Sequence, residues 1–408
     1  MPSDSRLILV LNSGSSSLKF AVHDTGTPIP LLSGLAERLT GEGPTITFKD
    51  DSGKQAHPLP EASHAAALDA VLAELTRRGW IDSLTAVGHR VVHGGERFTH
   101  SVLITPSVIT DIEAVSPLAP LHNPAAVLGM RVALQRLPSI PHVVVVDTAF
   151  HQTMKPEAFL YAIPMEFYRK HGVRRYGFHG TSHRYVAGET VKLLHLDPND
   201  HGLVVCHLGN GASATAVQDG CCVDTSMGMT PLEGLVMGTR SGDIDAAAVL
   251  HIMRITGRGP DEMNTLLNKE SGLLAVSELS NDCRELEAAA EDGHAGAQLA
   301  LEVFAHRLAR HIGGLAMALR RLDAVVFTGG IGENSARVRA MTLARLRPLG
   351  LQMDAAANAC MTRGAAGIIS VQGTTPIVAV VPTNEEWMIA CDTDQLARQA
   401  AGALVEAD

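Results

Sequence analysis

Arginine, histidine and aspartate gather at a few points along this chain, most of them just beyond short apolar runs. They are Arg90 and His93, His122, Asp147 and His151, His179 and His183, Asp224, Arg240, Asp243 and Asp245. In open α/β sheets ligands bind beyond the carboxyl ends of strands, so charged residues at those points are better candidates than charged residues elsewhere. Each alone reads as a solvated loop residue; together they describe a site. The types suit an anion, because guanidinium forks match a carboxylate or phosphate and imidazoles can donate to it. Two other chemistries match poorly. His89/His93 and His179/His183 stand four apart, but His179-Gly180-Thr181-Ser182-His183 has a glycine and no glutamate, unlike the zinc-binding H-E-x-x-H. No G-x-S-x-G elbow is present for a serine hydrolase.

Three glycine-rich turns supply what an anion site needs besides charge. Leu7–Leu11 is an apolar run, Asn12-Ser13-Gly14-Ser15-Ser16-Ser17 is small and polar, and Leu18–Val22 is apolar again. This predicts a strand, a tight turn and a second strand. Backbone N–H groups and hydroxyls converging in that turn, with Lys19 just beyond, suit a phosphate. It is not a Walker A loop, since G-x-x-x-x-G-K-[ST] is absent and no helix pattern follows. The plain alternative is a hairpin with a solvated serine tip. Leu203–Cys206, His207–Ser213 and Ala214–Val217 repeat the device, which suggests a duplicated fold. Gly329-Gly330-Ile331-Gly332-Glu333-Asn334 follows the strand-like Ala324–Phe327 and opens a helical pattern, as at a phosphate or nucleoside site on a helix N-terminus. Three such turns in one chain favour a nucleotide.

The elements that would carry these residues alternate in type. Short β-type runs fill the segment from Asp24 to Pro60, a helix is predicted over Ala65–Arg78, Thr85–Gly95 reads as a strand running into a polar turn, and a strand is predicted over Pro141–Val146 with a helix at Ala125–Arg136 before it. Strands first and then alternating helix and strand imply mixed sheets covered by helices, an α/β protein. The second half repeats the order from Leu203. Its longest predicted helix is Ala297–Leu319, with Leu299, Val303, Leu308, Ile312, Leu315 and Leu319 on one face. The segment Asp392–Val405 reads as a last amphipathic helix. At 408 residues two domains are expected, and nothing linker-like separates them. A net charge of −10 without a basic stripe argues against a nucleic-acid partner. No apolar run approaches the ~20 residues of a membrane span, and the start has no signal-peptide pattern. Six cysteines without C-x-x-C spacing point to reduced thiols in the cytoplasm.

Longer motifs carry a resemblance. Asn12–Lys19, Gly88-His89-Arg90-Val91-Val92-His93-Gly94-Gly95, Asp147-Thr148-Ala149-Phe150-His151 and Tyr176–His183 are similar to the acetate kinase family. So are Asp224–Gly228, Gly238-Thr239-Arg240-Ser241-Gly242-Asp243, the run at Gly329 and Thr383-Asn384-Glu385-Glu386, in family order along nearly the whole chain. The resemblance implies two ribonuclease H-like domains of the actin-like ATPase type around a nucleotide cleft. Residues 1–148 with 384–408 would form one, and 149–383 the other. It also implies a magnesium-dependent cytoplasmic homodimer, with manganese as an alternative ion, that interconverts acetate plus ATP with acetyl phosphate plus ADP.

Carried over residue by residue, the family pattern assigns Asn12 and Glu385 to the metal. It assigns Lys19, His207, Leu208, Gly209, Asn210, Gly211, Asp282, Cys283, Arg284, Gly330, Ile331, Gly332, Glu333 and Asn334 to ATP. Arg90 would hold the substrate carboxylate, with Val92, Leu121, His122, Phe178 and Pro231 completing that pocket. Asp147, His179 and Arg240 are the expected catalytic residues. Cys283 departs from the pattern, where a larger apolar residue is expected.

The chemistry sets the roles. A carboxylate is already an anion at pH 7 and needs no base to attack the γ-phosphorus. It needs charge screening, so phosphoryl transfer rests on positioning and on stabilising the equatorial oxygens. Arg90 and Arg240 are expected to bracket the acetate and the moving group, with His179 donating a hydrogen bond. Asp147 then has no proton to take, and orienting an arginine or a metal-bound water suits it better. Val92 is bulky enough to crowd a longer acid, which favours acetate over propionate, with a propionate kinase as the runner-up. An actin-like ATPase without the arginine pair and a non-enzymatic nucleotide sensor are the rivals from other classes.

Overall fold

A computed structural model of the chain describes residues 6–120 and 122–405. The chain divides into two compact units, one made of residues up to Ala149 together with those from Asn384 on, the other of Phe150–Thr383.

The first unit is built on an eight-stranded mixed sheet. Its strands are β1 (Leu7–Ser13), β2 (Ser17–Asp24), β3 (Leu32–Glu37), β4 (Thr45–Asp50), β5 (Gly53–Pro58), β6 (Leu84–Val91), β7 (Val102–Leu103) and β8 (His142–Val146), in the spatial order β5-β4-β3-β2-β1-β6-β8-β7. β1 to β5 form an antiparallel meander, and β1, β6 and β8 run parallel. The unbroken apolar run of β1 follows from burial on both faces. Leu7, Leu9 and Leu11 pack with Ala67, Leu68 and Val71 of the His64–Arg77 helix. Ile8 and Val10 pack with Ile389, Ala390 and Ala397 of the Glu385–Val405 helix. That closing helix comes close to β6 because Gly88 has no side chain: a Cβ there would collide with Ile389 and Thr393.

The second unit holds a six-stranded sheet of β9 (Gly202–Leu208), β10 (Ala212–Gln218), β11 (Cys221–Thr225), β12 (Ala324–Thr328), β13 (Gly367–Ile368) and β14 (Ile377–Val380), ordered β11-β10-β9-β12-β14-β13. Again a hairpin (β9/β10) precedes parallel strands (β9, β12, β14). Val186 and Ala187 of the Gly180–Leu193 helix cover Leu203, Val205 and Val326 on one face. The long helix spans Ala295–Ala316 rather than Ala297–Leu319. It buries Ala297, Ala300, Leu301, Phe304, Leu308, Ile312 and Leu315, while Leu299 is 51% exposed. Alanines carry half of that stripe, so a face chosen by its leucines is rotated from the true one. The Asn123–Arg136 helix begins two residues before its predicted start, with Pro124 in its first turn where a missing N–H costs nothing.

Candidate active site

In the first unit the site residues cluster at the carboxyl ends of β1, β6 and β8. Asn12 lies opposite Lys19 in the first hairpin, one pair before the turn. The turn is closed by the Gly14 N–H donating to the Ser17 carbonyl at 2.8 Å, and the Gly14 carbonyl is 2.8 Å from His64 Nε2. Lys19 Nζ reaches Glu386 Oε1 at 2.6 Å. Arg90 projects from β6 and Asp147 follows β8. They meet as a fork: Nε donates to Oδ1 at 3.0 Å and Nη2 to Oδ2 at 2.6 Å. Glu385 Oε2 lies 3.9 Å from Arg90 Nε. Burial opposes the Arg90 charge, but Asp147 and Glu385 outweigh it and raise the guanidinium pKa above its ordinary value. Asp147 is 2% exposed and Arg90 22%, so the arginine carries the accessible face of the pair. Asn123 accepts from the His93 N–H and donates to the His93 carbonyl, which holds the loop after β6. Val92 is half-buried beside Arg90 in sequence, His122 is exposed at the start of the Asn123–Arg136 helix, and Leu121 lies outside the described residues.

The second unit gathers an arginine and two imidazoles around the second hairpin. His179 sits in the left-handed region (φ 57°) immediately before the Gly180–Leu193 helix, conformationally costly for a residue with a Cβ and tolerated where surrounding contacts impose it. Its Nδ1 is 2.9 Å from Ser213 Oγ and its ring stacks on His207 at 4.4 Å between centroids. Arg240 Nη1 donates to the Pro231 carbonyl at 3.0 Å and lies 3.6 Å from Met237 Sδ. Among the described residues no carboxylate pairs with it, and burial lowers its pKa from the ordinary arginine value. A desolvated guanidinium without a counter-ion favours an anionic ligand. Gly211 shows how close the guanidinium and the imidazole are: the point where its Cβ would stand is 3.5 Å from both Arg240 Nη1 and His179 Nε2. Phe178 is buried just before His179, and its carbonyl lies 2.9 Å from His151 Nε2.

A cavity of about 830 Å³ in this unit is lined by Gly209, Asn210, Asp282, Cys283, Arg284, Gly330, Ile331 and Asn334 from the expected ATP set. Its walls also include Asn281, Glu287, Ser335 and Arg363, which the sequence did not single out. Asn281 donates to Asn210 Oδ1, a contact across 71 residues that no spacing reveals. Cys283 is buried in the first turn of its helix, and burial pushes its thiol up to about 12, so it serves as a small apolar wall. Leu208, Gly211, Gly332, Glu333 and His207 do not line this cavity. Leu208 and Gly332 are buried, His207 bonds Ser182 Oγ through Nδ1, and Glu333 turns inward to accept from the N–H groups of Gly329 (2.9 Å) and Thr383 (3.1 Å). Beneath the loop, fully buried Arg339 donates to the carbonyls of Gly332, Asn358 and Met361 and to Asn358 Oδ1, tying two cavity segments together.

Three of the polar residues at strand ends do other work. Asp224 and Asp243 line a separate cavity of about 220 Å³ with Arg175, Arg307, Arg310 and His311, and Asp243 pairs with His311 at 3.0 Å. Asp245 caps the Ala246–Thr256 helix. Among the described residues no group of three or more His, Cys, Asp or Glu could hold a metal ion.

The sequence matches the model of the acetokinase family over residues 7–391. It is 53% identical over 390 residues to an acetate kinase of Chromobacterium violaceum, covering 96% of this chain and 98% of that one. It is 50% identical over 398 residues to a propionate kinase of Yersinia enterocolitica, covering 98% and 97%. The crystal structure of Porphyromonas gingivalis acetate kinase superposes with a TM-score of 0.92 at 41% identity, covering 96% of this chain and all of that one.

Proposed function

The chain belongs to the acetokinase family and has the duplicated α/β fold of the actin-like ATPases, and from that premise we propose that it transfers the γ-phosphoryl group of ATP to acetate, reversibly, giving acetyl phosphate and ADP. The observation that carries this reading is Arg240: a half-buried guanidinium with no carboxylate partner among the described residues, sharing with His179 the space over Gly211. In the proposed reaction Arg240 neutralises the equatorial oxygens of the moving phosphoryl group and His179 donates a hydrogen bond to them. Arg90 holds the acetate carboxylate, and Asp147 orients Arg90 through their fork rather than exchanging a proton. ATP occupies the 830 Å³ cavity, with Cys283 and Ile331 on its apolar wall. Lys19, which pairs with Glu386 at 2.6 Å, is assigned to the nucleotide phosphates.

A divalent ion, magnesium or manganese, is part of this proposal. Asn12 and Glu385 offer an amide carbonyl and one carboxylate, hard oxygen donors. A small donor set suits an ion that keeps waters and binds mainly through substrate phosphates. When bound, the ion adds positive charge against the β- and γ-phosphates.

We further propose that the enzyme is a cytoplasmic homodimer. Its six cysteines are free, and no described helix is long and apolar enough to cross a membrane. The Ala246–Thr256 helix is rich in apolar residues yet buries none of them, as a helix awaiting a second copy would.

Acetate and propionate differ by one methylene, worth ~1–3 kcal/mol or about 10- to 200-fold in kcat/KM where the pocket is tight. Trapping the acyl phosphate with hydroxylamine, in the presence of ATP and magnesium, measures both. We expect product from each acid and kcat/KM favouring acetate. Equal values would move the substrate reading to short-chain acids generally, and no acyl phosphate at all would leave a nucleotide-binding protein without this transfer.

A further inference from the structure

We propose that Ser213 and His183 are positioning residues that hold the His179 imidazole in the tautomer with its proton on Nε2. This rests on the reading of His179 as a donor to the phosphoryl group. Ser213 Oγ lies 2.9 Å from His179 Nδ1 and 2.7 Å from His183 Nε2, and among the described residues it has no other hydrogen-bond partner. A hydroxyl has one proton and two lone pairs; accepting from both rings would leave the buried Ser213 O–H without an acceptor, so it donates to one imidazole and accepts from the other. That leaves two possible directions for the chain of bonds.

In the first, His183 Nε2–H donates to Ser213 and Ser213 O–H donates to His179 Nδ1. In the second, His179 Nδ1–H donates to Ser213 and Ser213 O–H donates to His183 Nε2. The environment of His183 chooses between them. Its ring is fully buried and its Nδ1 has no hydrogen-bond partner. Burial, with His151 and His207 nearby, pushes its pKa well below the ordinary value, so it is neutral and has a single N–H. The second direction would put that N–H on the unpartnered Nδ1. An orphaned buried N–H is the rarer and costlier defect, whereas the first direction leaves only an unused lone pair.

The first direction therefore holds, and it fixes His179 with a bare Nδ1 facing Ser213 and a proton on Nε2. That nitrogen is the one 3.5 Å from the Cβ point of Gly211, beside Arg240 Nη1. The enzyme thus presents an N–H to the phosphoryl oxygens without charging the ring. A parallel pair of bonds, Thr383 Oγ1 to Ser182 Oγ and Ser182 Oγ to His207 Nδ1, both at 2.7 Å, steadies the ring on which His179 stacks.

Long-range 1H–15N correlation spectra of the full-length protein labelled at histidine report the tautomer directly, without substrate. The wild type is expected to show His179 as the Nε2–H form. Ser213→Ala, close to isosteric, should turn it into a mixture of tautomers and lower kcat, by up to the roughly 100- to 1,000-fold that losing one donor to a developing oxyanion costs, with both KM values within about twofold. His183→Leu should do the same, and His183→Gln, whose amide N–H can take the place of Nε2–H, should recover most of the lost rate. An Nδ1–H form of His179 in the wild type overturns the proposal. So does an unchanged tautomer and kcat in Ser213→Ala, or equal rates for His183→Gln and His183→Leu. If the wild type makes no acetyl phosphate, the functional reading falls while the tautomer assignment is still decided by the spectra.

Discussion

Arg90 and Asp147 are 57 residues apart and neither has a neighbour that advertises the other, yet they form a two-bond ion pair in the first unit's candidate site. The fork fixes the plane of the guanidinium, which a single hydrogen bond would leave free to swing. This is why Asp147 is assigned to orientation and not to proton transfer. Asp147→Asn keeps the shape but replaces one accepting oxygen by an NH2 group that faces a donor. We expect the fold to persist, KM for acetate to rise, and kcat to stay low from pH 6 to 9, because no titration restores the lost acceptor. A rate that recovers at one end of that pH range would mark Asp147 as an acid or base. The arginine and the aspartate were each legible in the sequence as polar residues at strand ends. Their pairing was not, since it is made by the parallel register of β6 on β8.

Among the elements, the two hairpins were the most legible. An apolar run, a Gly/Ser turn and a second apolar run leave the chain few alternatives, and β1/β2 and β9/β10 form as the pattern predicts. The Ala295–Ala316 helix was legible as a helix but not as a face, because small alanines pack as tightly as leucines while contributing little to a hydrophobic pattern. Glu333 and Arg339 illustrate a third case: charged residues near the ligand loops that the fold uses for its own N–H and carbonyl groups. The Ala246–Thr256 helix gives the element-scale prediction. Leu250 is 52% exposed and Ile255 67%, on a helix with no buried residue. Sedimentation equilibrium of the wild type should give twice the chain mass, and Leu250→Glu combined with Ile255→Glu should shift it to one chain mass at micromolar concentration. Exposed substitutions of this kind cost the isolated fold little. A monomeric wild type, or an unmoved dimer in the variant, would remove this helix from the interface.

At the scale of the molecule, each unit hides a histidine that must stay neutral to stay folded. In the first unit burial pushes His23 down to about 4 against the opposing charge of Glu386, and neither ring nitrogen has a hydrogen-bond partner. In the second, burial pushes His151 down to about 4 although the Phe178 carbonyl favours its protonated form. Both folded values lie below the unfolded value of about 6.5, so between pH 6.5 and 4 the unfolded chain takes up protons that the folded chain refuses. Their contribution is complete above pH 6.5 and falls away with acid, by roughly 3 kcal/mol per ring at pH 4. Unfolding midpoints in urea should drop clearly from pH 7 to pH 4.5; equal midpoints would contradict the burial assigned to these rings.

The account as a whole stands on a half-buried arginine acting on a phosphoryl group in transit, and the rate of acetyl phosphate formation by Arg240→Lys tests that most directly. Lysine keeps the charge and loses the planar fork. The account predicts a folded protein whose kcat is lower by on the order of 10³-fold or more, within the range for an arginine in this role. A kcat near that of the wild type would contradict it.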